Sequence, residues 1–320
     1  MVKLIASKTG LALLALALLA GCNRDHKKVI AVIPKGSAHL FWQSVHAGAA
    51  KAALEKGVSI VWNGPATETD YSSQLQIVDA MISRKVDAIA LAPIDRKVMV
   101  SVVDRAADRN IPMIIFDSGV ETDRFVSQVA TDNYKAGQLA GERMGKILNG
   151  KGNVVIVAVQ PGAASTEARE KGFEDTIHRK FPGIKILDKR YGMAQVALSL
   201  TVTENMLTAH PDLDAMFASN ESSTMGAAQA LRGRSGRVTL VGFDWSPTLL
   251  DDLKSGLIDS LVVQDPFRMG YDSVIAAVAK LNGEPVEKIH DLAPRLIDKS
   301  NLDDPDVAAQ LHPDLKKYLP

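Results

Sequence analysis

The 320-residue chain contains one cysteine, Cys22. No disulfide can therefore form within it, and the folded body must be stable through its core alone. Neither sign of charge is in excess, since 37 lysines and arginines stand against 37 aspartates and glutamates. Such a surface offers no basic field for nucleic acid, which is not expected as a partner. Long apolar runs are missing too. The run from Leu11 to Ala20 is too short, at 1.5 Å per residue, to cross a hydrocarbon layer of about 30 Å. Enzymatic signatures are equally absent. No Gly-Lys-Ser or Gly-Lys-Thr phosphate loop, no Gly-x-Gly-x-x-Gly fingerprint after a strand and no Gly-x-Ser-x-Gly elbow occurs. The seven histidines are scattered; His39 and His46, if helical, would lie about 10 Å apart in rise, too far to share a metal held at about 2 Å. Ser165, His178 and Asp244 have the residue types of a hydrolytic triad and nothing else in favour of one. No enzyme activity, cofactor or metal is expected.

What is present begins at the N-terminus. Lys3 and Lys8 precede the apolar run, and Leu19-Ala20-Gly21-Cys22 closes it. A positive stretch, a short apolar segment and small residues before a cut describe a signal peptide over residues 1–21. The cysteine at the cut resembles the bacterial lipobox, whose thiol is acylated. The mature chain is thus expected to start at Cys22, exported and tethered to a membrane by lipid through a leader at 22–28. Losing Lys3 and Lys8 leaves it with a small net negative charge. At 46% hydrophobic and 23% charged residues, the remainder has the composition of a globular body, and its length suits two domains better than one.

Short β-branched runs alternate with amphipathic stretches, the signature of βαβ units. Strands are predicted at 29–33, 58–62, 87–91, 112–116 and 125–129, with helices near 41–56, 71–84, 97–109 and 133–148. After the turn Asn149-Gly150-Lys151-Gly152 the rhythm restarts, with strands at 153–158, 184–187, 215–218, 238–241 and 260–263 and helices near 165–180, 195–209, 222–232, 247–254 and 266–281. A last helix is expected from Asp303-Asp304-Pro305-Asp306 towards Lys316-Lys317. The two series echo each other. Asp87 opens an Asp-Ala strand 30 residues before Asp117, which closes Phe116-Asp117; Asp214 does the same before Asp244, which closes Phe243-Asp244. Two similar half-structures follow. Ligands of open α/β sheets bind beyond the carboxyl ends of the strands, so the two aspartates would face each other across a cleft.

Over nearly all of the mature sequence the chain resembles the sugar-binding branch of the type I periplasmic binding proteins, the ribose-binding proteins in particular. The likeness rests on Phe41-Trp42, Phe116-Asp117, Thr131-Asp132-Asn133, Glu167 to Phe173, Thr208 to Asp212, Asn220-Glu221, Val241 to Asp244 and Gln264. It implies an α/β fold of two Rossmann-like domains with parallel sheets, joined by a three-stranded hinge with crossings near 130–132, 261–264 and 290–294. The lobes implied are 29–131 plus 262–292 and 132–261 plus 293–320. It also implies closure around one monosaccharide or polyol, held by Lys35, His39, Phe41, Trp42, Asp117, Ser118, Arg169, Asn220, Asp244 and Gln264. Those residue types suit a sugar. Carboxylates accept from adjacent hydroxyls, an arginine donates a planar fork, amides do both, and aromatic rings cover C–H faces. Each has a plainer alternative: a helix cap for either aspartate, a solvated charge for Arg169, a loop lysine for Lys35, and core packing for Phe41 or Trp42. Asp132 and Asn133 are read as organising a crossing and capping a helix.

The sequence departs from the ribose-binding pattern in three places. His39 stands for an asparagine and Ser118 for an arginine, while Gly192-Met193-Ala194-Gln195 lacks the stacking aromatic, leaving Trp42 or Trp245 to cover one sugar face. Lys35 and Trp62-Asn63-Gly64-Pro65 resemble autoinducer-2-binding relatives. The expected function is that of a monomeric, lipid-anchored receptor presenting its closed form to the membrane subunits of an ABC permease. A sensory receptor, delivering a sugar-bound or autoinducer-2-like closed form to a chemoreceptor or sensor kinase, is the alternative. A sugar-responsive repressor is disfavoured, because Cys22 lies where a DNA-binding helix-turn-helix would precede the first strand.

Overall fold

The computed structural model describes residues 27–37, 39–233 and 238–319. The expected signal peptide, Cys22 and most of the leader lie outside the described residues.

The strands form two six-stranded sheets. The first contains β1 (Val29–Ile33), β2 (Ser59–Trp62), β3 (Ala88–Leu91), β4 (Met113–Phe116), β5 (Ser127–Thr131) and β11 (Ile289–Leu292), in the order β11-β5-β4-β3-β1-β2 and parallel throughout. The second contains β6 (Lys151–Ala158), β7 (Gly183–Tyr191), β8 (Ala215–Ala218), β9 (Thr239–Phe243), β10 (Ser260–Val263) and β12 (Arg295–Asp298), ordered β12-β10-β9-β8-β6-β7. Its edge strand β12 runs antiparallel to β10, the one exception to the parallel expectation. Helices cover both faces, so the central strands are apolar on both sides. Every residue of β3, β4, β8 and β10 is buried.

The helices are α1 (Leu40–Lys56), α2 (Tyr71–Ser83), α3 (Val100–Asp108), α4 (Asn133–Ile147), α5 (Ala164–Lys180), α6 (Val196–Ala209), α7 (Glu221–Leu231), α8 (Pro247–Ser255), α9 (Pro266–Leu281) and α10 (Pro305–Leu311). The chain passes between the sheets three times, after β5, after β10 and after β11. Because β10 pairs through Val263, the boundary expected at 262 falls inside this strand. The first two crossings end in capped helices. Asp132 accepts from Lys135 N at 2.9 Å and Asp265 from Arg268 N at 2.9 Å, each satisfying an orphan donor of a helix start. The expected C-terminal helix is divided into α10 and a single 3₁₀ turn at Leu315–Lys317. Val307 and Leu311 bury α10 in the second core, and Gln310 Nε2 donates to the carbonyl of Gln264 at 2.9 Å.

The helix that follows each of these crossings packs on the first helix of the lobe it enters, α9 on α1 and α4 on α5. Glycines allow the contact. A Cβ on Gly48 or Gly270 would lie 1.8 or 2.0 Å from a backbone oxygen of the facing helix, and on Gly137 or Gly172 at 1.9 or 2.2 Å. Gly270→Val should therefore force α9 off α1 and cost about 2–3 kcal/mol, read as a lowered urea midpoint with unchanged slope. An unaltered midpoint would show that the helices separate without cost.

Candidate functional site

Two strand ends set the geometry. Asp117 and Asp244 both adopt the left-handed conformation, at φ 60° and 64°, which aspartate tolerates better than most residues. Their amides continue the ladders, Asp117 N donating to Val129 O at 3.0 Å and Asp244 N to Val262 O at 2.8 Å. The turn frees each carboxylate to point beyond the sheet rather than along it. Both are buried, and both line one cavity between the lobes.

From the first lobe, Lys35 follows β1 and pairs with Asp117 Oδ2 at 2.7 Å; its Nζ also donates to Ser165 Oγ of the second lobe at 3.0 Å. Phe41 and Trp42 sit in the first turn of α1, with ring centres 4.9 Å apart and planes at 88°. Trp42 packs edge-on to Phe116 in the core, and its Nε1 donates to Glu68 Oε1 at 2.8 Å. His39 Nε2 lies 3.5 Å from the same carboxylate oxygen.

From the second lobe, Arg169 reaches the cavity from α5 and is 2% exposed. Its Nε donates to Asn133 Oδ1 at 2.7 Å and its Nη1 to Ser219 O at 3.0 Å, and the guanidinium carbon lies 4.0 Å from the centre of the Phe243 ring. Burial pushes the guanidinium pKa down, against the pull of Asp244 and Asp117. Asp244 is pushed up by burial and held back by Arg169 and by Gln264 Nε2, which donates to its Oδ1 at 2.8 Å. A relay of hinge residues joins these two groups. Asn133 Nδ2 donates to Thr131 O at 2.9 Å, and Thr131 Oγ1 donates to Gln264 Oε1 at 2.8 Å. Asn220 caps α7 through Oδ1, accepting from Ser223 N at 2.9 Å, which leaves its Nδ2 donors for the cavity. The N-termini of α1, α5 and α7 all open onto this space and set their partial positive charge against its carboxylates. Donors, acceptors and two aromatic rings thus surround one small space built from both lobes.

A model of the periplasmic binding protein domain matches residues 30–285. The chain belongs to the periplasmic binding protein family. It is 31% identical to the D-ribose/D-allose-binding protein of Pseudomonas aeruginosa over 82% of this chain and 84% of that one. Among solved structures it resembles a carbohydrate transporter solute-binding protein of Agrobacterium radiobacter in complex with D-arabinose, with a TM-score of 0.87, 36% identity, and coverage of 90% of this chain and 99% of that one. An ABC transporter solute-binding protein of Agrobacterium vitis with bound D-fucose gives 0.86 and 33%, over 89% and 100%. This periplasmic binding protein is therefore an exported solute receptor of the sugar ABC transporter class rather than an enzyme, and relatives that bear transport names favour import over a sensory role.

Nine of the ten residues picked from the sequence line the cavity of this binding protein; Ser118 does not. Its Oγ instead accepts from Ser165 N at 3.1 Å, so the serine joins the lobes from behind the wall. Lys35 brings its Nζ to the first cleft aspartate, beside the position where the family's arginine is missing. Met193 and Ala194 are absent from the cavity wall, and Trp245 lies in an adjoining hollow with Leu40, Phe41 and Pro266. Asn133, read only as part of a crossing, is a direct partner of Arg169. Glu68, Ser165, Thr166 and Glu221 line the cavity without having been picked. Glu221 adjoins the recognised Asn220, and that pair was the one available signal for it. Arg169→Met would leave Asn133 Oδ1 and the Asp244 carboxylate buried without their cation. Its expected cost is about 3–5 kcal/mol in urea unfolding of the sugar-free protein, and a loss under about 1 kcal/mol would mean that the arginine is solvated in solution.

Proposed function

We propose that the protein captures one monosaccharide or polyol of pentose to hexose size between its lobes, residues 29–131 plus 262–292 and 132–261 plus 293–320, and presents the closed form, as a lipid-anchored monomer, to an ABC permease. The observation that carries this reading is the paired set of strand-end aspartates, each facing a buried cation, around one cavity between the lobes. Asp117 and Asp244 would accept from neighbouring hydroxyls, Arg169, Lys35 and the Asn220 Nδ2 group would donate, and Gln264 would hold Asp244 in place. Phe41, Trp42 and His39 would cover the C–H faces. Ser118 would act by holding Ser165 in place. The relatives named for ribose and allose, and the structures holding D-arabinose and D-fucose, support a ligand of this class.

The start of the described chain is compatible with such a tether. Lys28 donates through Nζ to Asn282 Oδ1 at 2.8 Å and to Leu281 O at 3.2 Å, fixing the leader to the end of α9 just before β1. The chain therefore enters at the amino end of the first sheet, and the cleft opens at the carboxyl end. A lipid on Cys22 would hold the protein at a membrane without covering its mouth.

Thermal-shift screening against monosaccharides and polyols should single out the ligand, since saturation raises stability by RT ln(1 + [L]/Kd). With that sugar, Asp244→Ala or Arg169→Ala should weaken binding by about 2 kcal/mol, roughly thirtyfold. Unchanged titrations for both variants would remove the cleft from consideration. For the anchor, labelled palmitate should enter the wild-type protein in a bacterial host and fail to enter Cys22→Ser; equal labelling of the two would refute lipidation at Cys22.

A further inference from the structure

Helix α1 carries Phe41 and Trp42 to the cavity, yet its own N-cap residue, His39, makes no side-chain hydrogen bond to the helix. The first N–H groups of a helix have no partner within it, and burying them unpaired costs about as much as losing a hydrogen bond. One of these groups, Phe41 N–H, donates to Glu221 Oε2 at 3.2 Å. Glu221 is the first residue of α7 in the opposite lobe and is 6% exposed. Capping side chains normally belong to the same helix start. Here the cap comes from across the cleft. Its position is fixed from behind, because the Glu221 amide donates to Asp244 Oδ2 at 3.1 Å.

We propose that Glu221 is a positioning residue for ligand capture: it caps α1 only while the lobes are closed, so closure itself locks Phe41 and Trp42 against the bound molecule. The purpose of the cap rests on the sugar-binding function proposed above; its geometry does not. With the lobes apart, the α1 start and the Glu221 carboxyl would both face water and need nothing from each other. With them together, each removes the other's unpaired polar group.

A titration accompanies the cap. His39 from the first lobe and Asp244 from the second face Glu221, and Lys35, Glu68, Asp117 and Arg169 line the same cavity. Burial, reinforced by Asp244, pushes the Glu221 carboxyl from its ordinary 4.5 up to about 7, against His39 and the amides of Phe41 and Leu40. In the open form the solvated carboxyl returns towards its ordinary value. The closed form thus holds its proton to higher pH than the open form, and closing takes up a proton between those limits. Raising the pH through this window weakens closure.

The test compares wild type, Glu221→Gln and Glu221→Ala at pH 5.5 and 8.0, by NMR hydrogen exchange at the Phe41 amide and by calorimetric titration with D-arabinose. Wild type and Glu221→Gln should protect the Phe41 amide. In Glu221→Ala it should exchange at least tenfold faster, after correction for intrinsic rates, with D-arabinose bound at least tenfold more weakly and helix content unchanged. Wild-type affinity should fall severalfold between the two pH values, and Glu221→Gln, which cannot ionise there, should lose that slope. Equal Phe41 exchange in wild type and Glu221→Ala would overturn the cap, and a full wild-type pH slope retained in Glu221→Gln would overturn the proton uptake at Glu221. If no monosaccharide binds wild type while the exchange difference at Phe41 persists, the sugar-binding function fails and the cap stands.

Discussion

Lys35, Asp117, Arg169 and Asp244 lie between the lobes with almost no contact with water, and each faces a group of opposite charge or fixed polarity. A lone buried ion costs several kcal/mol even after relaxation. The requirement reaches far into the fold. Asp117 and Asp244 must leave their strands in a left-handed turn to aim inward, the α4–α5 contact must be close enough to seat Arg169, and the hinge must supply the amides that complete the set. The relay from Asn133 through Thr131 and Gln264 puts the crossing segments in the same hydrogen-bond chain as the groups facing the cavity. Hinge and site are therefore one polar network.

The two lobes solve this problem in the same way with exchanged parts. In each, a Phe-Asp strand end supplies the inward carboxylate, and an Asp at the start of the preceding strand ties down a neighbouring amide. Asp87 Oδ2 accepts from Val29 N at 2.7 Å, and Asp214 Oδ2 from Asn153 N at 2.7 Å. Each lobe also borrows the helix that packs on its first helix from beyond a crossing. Neither lobe's sequence run is complete alone, so the crossings cannot be long, loose linkers. They are load paths, short because helices on both ends are already docked.

How much of this the sequence discloses depends on where a residue's role is decided. Strands such as Val29–Ile33, Ala215–Ala218 and Ser260–Val263 are legible because burial on both faces demands unbroken apolar runs. Ile289–Leu292 and Arg295–Asp298 are not, since they are half-exposed edge strands of mixed polarity that exist only through pairing with β5 and β10. β7 extends through Asp188-Lys189-Arg190 for the same reason, following β6 past a bulge at Val154 and Val155. Arg169 and Glu170 read as an exposed charged face of a helix, and only the family motif singled out the arginine. Both are buried, Glu170 paired with Lys189 at 2.7 Å. Glu68 lies in a loop with no periodicity to interpret, and its position is set by Trp42 and by Gln160 Nε2, which donates to its carbonyl from the other lobe at 2.8 Å.

Outside the cavity wall the lobes are joined by polar contacts and by the Tyr318 ring, whose centre lies 5.9 Å from that of Phe267. Arg96 reaches Glu167 at 2.6 Å and donates its amide to Gly162 O at 2.9 Å, while Ser118, Ser165 and Gln160 add single hydrogen bonds. Water can replace the polar contacts, so each of them contributes about 1 kcal/mol or less net. A ligand can shift the balance between open and closed forms only by its difference in affinity for the two. The cavity is walled by both lobes, so a molecule resting on Lys35 and Asp117 alone would gain Arg169, Asn220 and Asp244 only with the second lobe drawn over it. A molecule that satisfied one lobe alone would bind without closing the other over it.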